Sequence, residues 1–235
     1  MDRFGIHEVY GMHNMPGTPV GHFAIRPGPL LASADEFEIV VTGKGGHAAA
    51  PHQAVDTTLV AAQILLSLQS IVSRTVNPLR SVVVTVGTFR TDSDASNVIA
   101  HTARMEGTVR TLDPEYRTIA ERRIREIAEG TAAAHGASVE VTWTEGYPVT
   151  VNWPENTGYA VEVARSISAH VDDETDPIMP AEDFSFMLEE RPGAYIFLGN
   201  GDTAMCHHPA YNFDDEAIPF GSSWYSGMIE ARMPM

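Results

Sequence analysis

The sequence holds a single cysteine, Cys206, which excludes an internal disulfide and with it the stapled scaffolds of small secreted proteins. Positive charge is scarce. Lys+Arg number 15 against 31 Asp+Glu, a formal charge of -16, so the mean field repels phosphate backbones and anionic lipid. Neither nucleic acid nor a membrane surface is an expected partner. Long apolar runs are missing as well: residues 59–68 fall far short of the ~20 residues a membrane span requires, and they carry helical periodicity. The first residues lack the basic start and apolar segment of a secretory signal, which makes a cytoplasmic location the default expectation. There is no low-complexity tract, and a hydrophobic content of 43% fits one large or two small globular domains.

What is present is a sequence whose periodicity switches in an ordered way. Residues 37–42 (FEIVVT) alternate weakly and are β-branched, a strand. Behind Pro51, the spacing of Val55, Leu59, Ala62, Leu66 and Ile71 predicts a helix over 55–73. Residues 81–89 and 103–111 read as two more strands. Asp113-Pro114-Glu115 opens a second helix, with the Asp as N-cap and the Pro at the first helical position, and the helix ends near His135-Gly136. A fourth strand follows at 138–144. The order β-α-β-β-α-β is the ferredoxin-like, split βαβ arrangement.

The flanks differ from this unit. Residues 9–29 are rich in Gly, Pro and His; later come a helix near 156–169, a strand at 194–198 and a helix over about 216–232. They read as parts of one α/β domain interrupted by the compact unit, with boundaries 1–34, 35–146 and 147–235. Alone they offer too few strands for a sheet covered on both faces. Apolar groups near Tyr159, Val163 and Ile167 and along residues 195–198 are therefore expected to lie exposed, and a complete domain is expected to need sequence before Met1.

The ten histidines sit beside Gly and Pro more often than on apolar helix faces, a placement that suggests loops at a site. In Cys206-His207-His208-Pro209, a thiol and imidazoles could serve a Zn, Mn, Co or Ni ion through one of the two histidines, or could simply cap the strand ending at Leu198. His13, in Tyr10-Gly11-Met12-His13-Asn14-Met15-Pro16, follows an apolar run at a strand end, where α/β enzymes place catalytic groups. His47 lies in Gly43-Lys44-Gly45-Gly46-His47-Ala48-Ala49-Ala50-Pro51, where small residues permit close approach of a ligand or mark a flexible hairpin loop. That glycine run lacks the Lys-Ser/Thr ending of a phosphate-binding loop. Asn97 and Arg110 suit a grip on a carboxylate, although a solvated arginine is the commoner fate of such a residue. Glu182-Asp183-Phe184 precedes a helix-like stretch at 185–190 and could be site carboxylates or helix N-terminal charges.

Taken together and in order, these motifs resemble the aminoacylase, hippurate hydrolase and indole-acetyl-amino-acid hydrolase family of dinuclear metallo-amidohydrolases. The resemblance spans essentially the whole chain, through residues 9–17, 43–51, Asn97-Val98-Ile99, Gly107-Thr108-Val109-Arg110-Thr111, Ala181-Glu182-Asp183-Phe184-Ser185, and His207-His208-Pro209 with Tyr211-Asn212-Phe213. It implies hydrolysis of the amide bond of N-acyl amino acids with two divalent metal ions, Mn, Zn, Co or Ni. It implies His13 and His207 as metal ligands, with His208 a neighbour. The β-α-β-β-α-β unit resembles the family's lid, which also forms a homodimer contact. From it His47 would reach the partner subunit's active site and stabilise the oxyanion. Asn97 and Arg110 would hold the substrate's α-carboxylate, and Glu182 matches a position near the substrate.

Two departures stand out. The family's His-X-Cys-Gly-His-Asp-type segment and Glu-Glu pair, which carry the other ligands and the general base, do not precede residue 9 here. The expectation is a chain with little or no activity alone, cut within the family's catalytic domain. Ala100-His101 also replaces a Pro and an acidic residue, which removes a fixed φ and should loosen that loop. A catalytically inactive dimerisation and ligand-binding remnant, or a metallo-dipeptidase, are the competing expectations.

Overall fold

The computed structural model describes residues 1–233. It forms two compact units, Met1–Ala32 with the segment from Val149 onward, and Ser33–Pro148. The first unit opens with β1 (Val9–Met15), β2 (Phe23–Ala24) and β3 (Gly28–Leu31).

The second unit begins with β4 (Ala34–Thr42), whose alternation turns Phe37, Ile39 and Val41 into a core. The short β5 (Gly46–His47) precedes α1 (Thr57–Ser70), which starts where the Asp56 carboxylate accepts the N–H groups of Thr58 and Leu59. The expected run to Ser73 is realised differently: the last turn widens into a π-type turn over Ile71–Thr75. Then come β6 (Val82–Thr91), β7 (Val98–Ile99), β8 (Thr102–Thr111), α2 (Pro114–Ala134) and β9 (Ser138–Tyr147). The Asp113 side chain caps α2 through the Glu115 N–H, and Gly136 supplies the left-handed residue after it, φ 71°. The strands pair antiparallel in the order β6-β8-β4-β9. Both helices cover one face, where Ile64, Leu68, Met105 and Ile124 are buried with the β4 residues.

The chain returns to the first unit with β10 (Thr150–Asn152), α3 (Pro154–Ile167), β11 (Val171–Asp172), α4 (Ser185–Glu190), β12 (Gly193–Gly199) and α5 (Ala217–Arg232). Its sheet runs β1-β12-β2-β11, with β1 and β12 parallel, and β3 and β10 pair antiparallel as a separate two-stranded ribbon. One face packs on α3 and α5 through Ile196, Leu198, Val163, Trp224 and Met228. The exposure expected from the shortage of strands does not occur on this strand and helix. All of β12 and Val163 are buried, and Tyr159 and Ile167 pack against the same core. The reason is that Leu30, Leu31, Ile178 and Phe184 cover the sheet's second face around Tyr195 and Phe197, a role their sequence positions do not advertise. Among the described residues, no helix is long and apolar enough to cross a membrane.

Candidate active site

In the first unit the site elements meet at the carboxyl ends of the parallel strands β1 and β12, where open α/β sheets bind ligands. Side chains alternate along β1. Tyr10 and Met12 enter the core under the helices, so Gly11 and His13 face the other way, beside Tyr195 and Phe197 of β12 in register. Gly11 has to be glycine, since a Cβ there would lie 2.6 Å from the Tyr195 ring and 3.0 Å from that of Phe184. The His13 Nδ1 is 2.6 Å from the Asn14 carbonyl oxygen. A carbonyl only accepts, so this contact puts the proton on Nδ1 and leaves the Nε2 lone pair free for a cation.

Glu182 reaches the same face. The Tyr195 hydroxyl donates to its Oε2 at 2.6 Å, and the Phe184 N–H donates to its Oε1 at 3.4 Å. Burial pushes the Glu182 carboxyl up, but the hydrogen bonds from Tyr195, Asp183 and Phe184 and the nearby His13 outweigh it and hold the group below its ordinary range. Asp183 shifts upward because its carboxyl shares a hydrogen bond with Glu182. Burial, then Glu182, raises the Tyr195 hydroxyl far above its usual value, so it remains a donor. Asn152, on β10, fixes Tyr195 from behind: its amide accepts the Tyr195 N–H at 2.7 Å and donates to the Tyr195 carbonyl at 2.9 Å.

The loop after β12 is tied to the end of β1. The Gly17 N–H donates to the Gly201 carbonyl at 2.8 Å, the Asn200 N–H to that of Met15 at 3.0 Å, and the Asn14 amide to the Tyr211 hydroxyl at 2.5 Å. The buried Asn200 side chain spans the loop, accepting from the Asp214 N–H and donating to the Asn212 carbonyl, both at 2.9 Å. Asn200 is an organising residue that sequence reasoning passed over, its only signal a Gly-Asn-Gly turn at a strand end, whereas Tyr211 stood in the Tyr211-Asn212-Phe213 motif without a role. His207 lies on this loop, exposed, with φ 68°, the one non-glycine residue with positive φ among those described. That conformation costs roughly 1–3 kcal/mol and concentrates at functional sites. The neighbouring His208 uses its Nδ1 to accept the Ala210 N–H at 3.0 Å.

These donors suit a divalent metal in kind, since His13 presents a free Nε2. They are too few for a closed shell: among the described residues no group of three or more His, Cys, Asp or Glu side chains could hold a metal ion.

In the second unit, β5 pairs with β7, so that His47 stands opposite Val98, and the Ala48 N–H donates to the Asn97 carbonyl at 3.0 Å. His47, Asn97, Asp92, Ser93 and His101 line one cleft of about 540 Å³. The His47 Nδ1 accepts the Ala49 N–H at 3.0 Å, which leaves the proton on Nε2 and makes that nitrogen a donor. The glycines serve close packing here, because a Cβ on Gly43 would fall 2.6 Å from the Val55 carbonyl and one on Gly45 3.0 Å from that of Ile99. The loosening expected at Ala100-His101 is absent. Thr57 Oγ1 donates to the Ala100 carbonyl at 3.0 Å, the Gly43 N–H to that of His101 at 3.0 Å, and the His101 N–H to Asp92 Oδ1 at 2.9 Å. Hydrogen bonds, chiefly from Thr102, hold the Asp92 carboxyl below its ordinary range.

Arg110 is elsewhere in this unit. It donates to the Val109 carbonyl at 3.1 Å and to the Thr108 hydroxyl, and is paired with no carboxylate among the described residues. From Thr102, beside the His47 cleft, to Arg110 is eight residues of extended strand, roughly 27 Å. Asn97 and Arg110 of one chain therefore do not meet on one small substrate.

Comparison with known proteins agrees over nearly the full length. The chain is 38% identical to the N-acetylcysteine deacetylase of Bacillus subtilis over 226 residues, 94% of this chain and 58% of that protein. It is 36% identical to the hippurate hydrolase of Campylobacter jejuni over 227 residues, 96% of this chain and 59% of that protein. Among solved structures, a dinuclear metal binding peptidase from Bacillus subtilis superposes with a TM-score of 0.78 at 33% identity, over 95% of this chain and 56% of that one. The chain thus spans less than two thirds of the curated relatives it matches. With the family profile matched over residues 1–231, it belongs to the Peptidase family M20/M25/M40.

Proposed function

We propose that this chain works in a metal-dependent amidohydrolase that cleaves the amide bond of N-acyl amino acids, and that its active site draws on two copies of the chain. The observation that supports this most directly is His47, a Nε2–H donor fixed by the Ala49 N–H in an open cleft beside Asn97. Such a donor suits the oxygen that gains negative charge when an amide carbonyl is attacked. The names of the Bacillus subtilis deacetylase and the Campylobacter jejuni hydrolase point to the same bond class.

In this reading residues 1–34 and 147–235 belong to the catalytic domain, and residues 35–146 are its lid and dimer contact. His13 and His207 contribute ligands to a centre of two divalent ions, Mn, Zn, Co or Ni, which would supply Lewis acidity and an activated water. Arg110, unpaired with any carboxylate among the described residues, takes the substrate's α-carboxylate as a charged fork. Asn97 and His47 come from the other copy, as the span along β8 requires if all three act on one substrate. Glu182, held by Tyr195, lines the substrate side of His13. A cytoplasmic setting fits a chain with one cysteine.

The test is hydrolysis of N-acetyl amino acids and hippurate, with Mn, Co or Zn added and bound metal measured in the same sample. The chain is assayed alone and with the portion of the Bacillus subtilis deacetylase outside its match to this chain. Metal uptake and turnover with that portion, abolished by His47→Ala, are expected. Metal uptake without turnover of any N-acyl amino acid would favour the non-catalytic reading, and turnover of dipeptides alone the metallo-dipeptidase.

A further inference from the structure

We infer that His101, with the Ser93 hydroxyl in the same cleft, forms a subsite for the acyl half of the substrate and selects acyl groups that end in a second carboxylate, of the succinyl or glutaryl kind, over acetyl. The identity of the scissile bond rests on the amidohydrolase reading; the binding preference of the subsite is measured without turnover.

The order of groups along the cleft carries this assignment. Antiparallel pairing sets Ala48 against Asn97, with the Ala48 N–H on the Asn97 carbonyl, then His47 opposite Val98 and Gly46 opposite Ile99. The two segments stay together as far as His101. A Cβ on Gly45 would lie 3.3 Å from the His101 nitrogen, and the Gly43 N–H donates to the His101 carbonyl. Asn97 and His101 therefore flank His47 on opposite sides. In an N-acyl amino acid the amide carbonyl stands between the α-carbon with its carboxylate and the acyl chain. With Asn97 at the α-carboxylate and His47 at the carbonyl oxygen, His101 meets the acyl chain. From Val98 to His101 is three residues, at most ~10 Å of extended backbone, which side chains reaching in from either end shorten to the span of a four- or five-carbon acyl group. The cleft wall between them is Val98, Ile99 and Ala100, an apolar lining for the methylenes of such a chain.

The end of the cleft beyond that wall offers donors that the protein itself does not use. The His101 ring is exposed and makes no hydrogen bond, ion pair or ring contact among the described residues. Its backbone, in contrast, is held on both sides, the carbonyl by the Gly43 N–H at 3.0 Å and the N–H by Asp92 Oδ1 at 2.9 Å. A free ring on a fixed backbone costs little ordering when a ligand binds. The Ser93 hydroxyl accepts the Ala95 N–H at 3.3 Å, which leaves its own proton to donate. Asp92 is the one carboxylate among the cleft's described lining residues, and it is turned toward the protein, accepting from the His101 N–H and from Thr102. An imidazole N–H and a hydroxyl call for an acceptor, and a carboxylate accepts from both. An acetyl group is too short to reach them. His101 also stands where the sequence departs from the family's pattern, so the preference belongs to this chain in particular.

The test is binding of N-succinylglycine, N-butanoylglycine and N-acetylglycine to the full chain, followed by calorimetry and by nitrogen-15 spectra of the histidine side chains. N-succinylglycine is expected to bind roughly 10-fold more tightly than the other two, the scale of one charge-assisted hydrogen bond, and to shift the His101 ring resonances. N-butanoylglycine has the same chain length without the second carboxylate, so it separates charge from length. His101→Leu should abolish the preference, and His101→Gln, which keeps a side-chain N–H, should retain part of it; circular dichroism checks that both fold. Equal binding of the three ligands, no His101 shift with N-succinylglycine, or a preference that persists in His101→Leu would overturn the inference. A His101-dependent preference in a protein that hydrolyses no N-acyl amino acid would leave the subsite standing and remove the amidohydrolase reading. Hydrolysis without any such preference would do the reverse.

Discussion

Arg117 holds the carboxylate of Asp35 with two hydrogen bonds, Nε to Oδ2 at 2.7 Å and Nη2 to Oδ1 at 2.6 Å, and the Asp35 side chain is 0% exposed. The Gly146 N–H adds a third bond to Oδ1 at 3.0 Å, and Arg117 Nη2 returns one to the Gly146 carbonyl at 3.1 Å. The cluster sits where the pairing of β4 with β9 shifts register, so it locks α2 onto an irregular edge of the second unit's sheet. Removing Asp35 leaves the Arg117 guanidinium, 16% exposed, with its main buried counter-charge gone and the exposed Glu145 carboxylate beside it. Asp35→Ala is expected to cost ~3–5 kcal/mol in urea denaturation of the chain, whereas the double variant Asp35→Leu with Arg117→Met should recover most of that. A loss below about 1 kcal/mol for the single variant would show that water or the Arg117–Glu145 pair takes over the charge.

The parts of the fold that were legible in the sequence are those with long, regular periodicity. The strands around residues 37–42, 81–89, 103–111 and 138–144 and the Asp113-Pro114 helix start carry their own local signal, and the structure forms them within a few residues of the expected bounds. Strands of two or three residues, β2, β10 and β11, have no period to detect. The covering of Tyr195 and Phe197 by Leu30, Leu31 and Phe184 is a long-range fact that no local pattern encodes. The site divides in the same way. His13, His47 and His207 stand out by their glycine and proline neighbours. The Ala49 N–H that sets the His47 tautomer, and the length of β8 between the His47 cleft and Arg110, become visible only in three dimensions.

The Ala49 N–H is the handle on His47. If the Nε2–H donor stabilises a developing oxyanion, His47→Ala should lower kcat of the complemented enzyme by roughly 100- to 1,000-fold with little change in KM. Ala49→Pro, which removes the N–H but keeps the imidazole, should give a smaller loss. Nitrogen-15 spectra should report the change directly: one tautomer of His47 in the parent chain, a mixture in the variant. A parent chain with mixed tautomers would disconnect the Ala49 contact from function.

Glu8 predicts an acid-side effect on stability. Arg232 holds its carboxylate with two hydrogen bonds, 2.9 and 2.6 Å, and this interaction, more than any other, lowers the Glu8 carboxyl below its ordinary value, with Tyr10 adding to it. A group whose folded pKa lies below its unfolded one stabilises the fold above the unfolded value, about 4.3, and loses that contribution as pH falls through the folded one. Glu8→Gln should therefore cost up to ~1 kcal/mol at neutral pH, given the partly exposed pair, and progressively less as pH falls below the unfolded value. Parallel stability curves for parent and variant across that window would contradict the assignment.

Gly11 offers the sharpest test of how the first unit's site is held. A methyl group there would meet the Tyr195 ring at 2.6 Å, and Tyr195 is fixed on its other sides by Asn152 and Glu182. The ring cannot give way without surrendering its bond to Glu182, so Gly11→Ala should destabilise the chain by ~1–3 kcal/mol, the range for overpacking a filled core. Adding Tyr195→Leu to Gly11→Ala relieves the clash but deletes the hydroxyl. Stability should then recover in part, while the Glu182 carboxyl, deprived of its Tyr195 donor, rises toward its ordinary range. Carbon-13 titration of Glu182 in the single and double variants separates the two effects. An unchanged Glu182 in the double variant would mean that Asp183 and the Phe184 N–H alone hold that carboxylate, and that Tyr195 is there for packing.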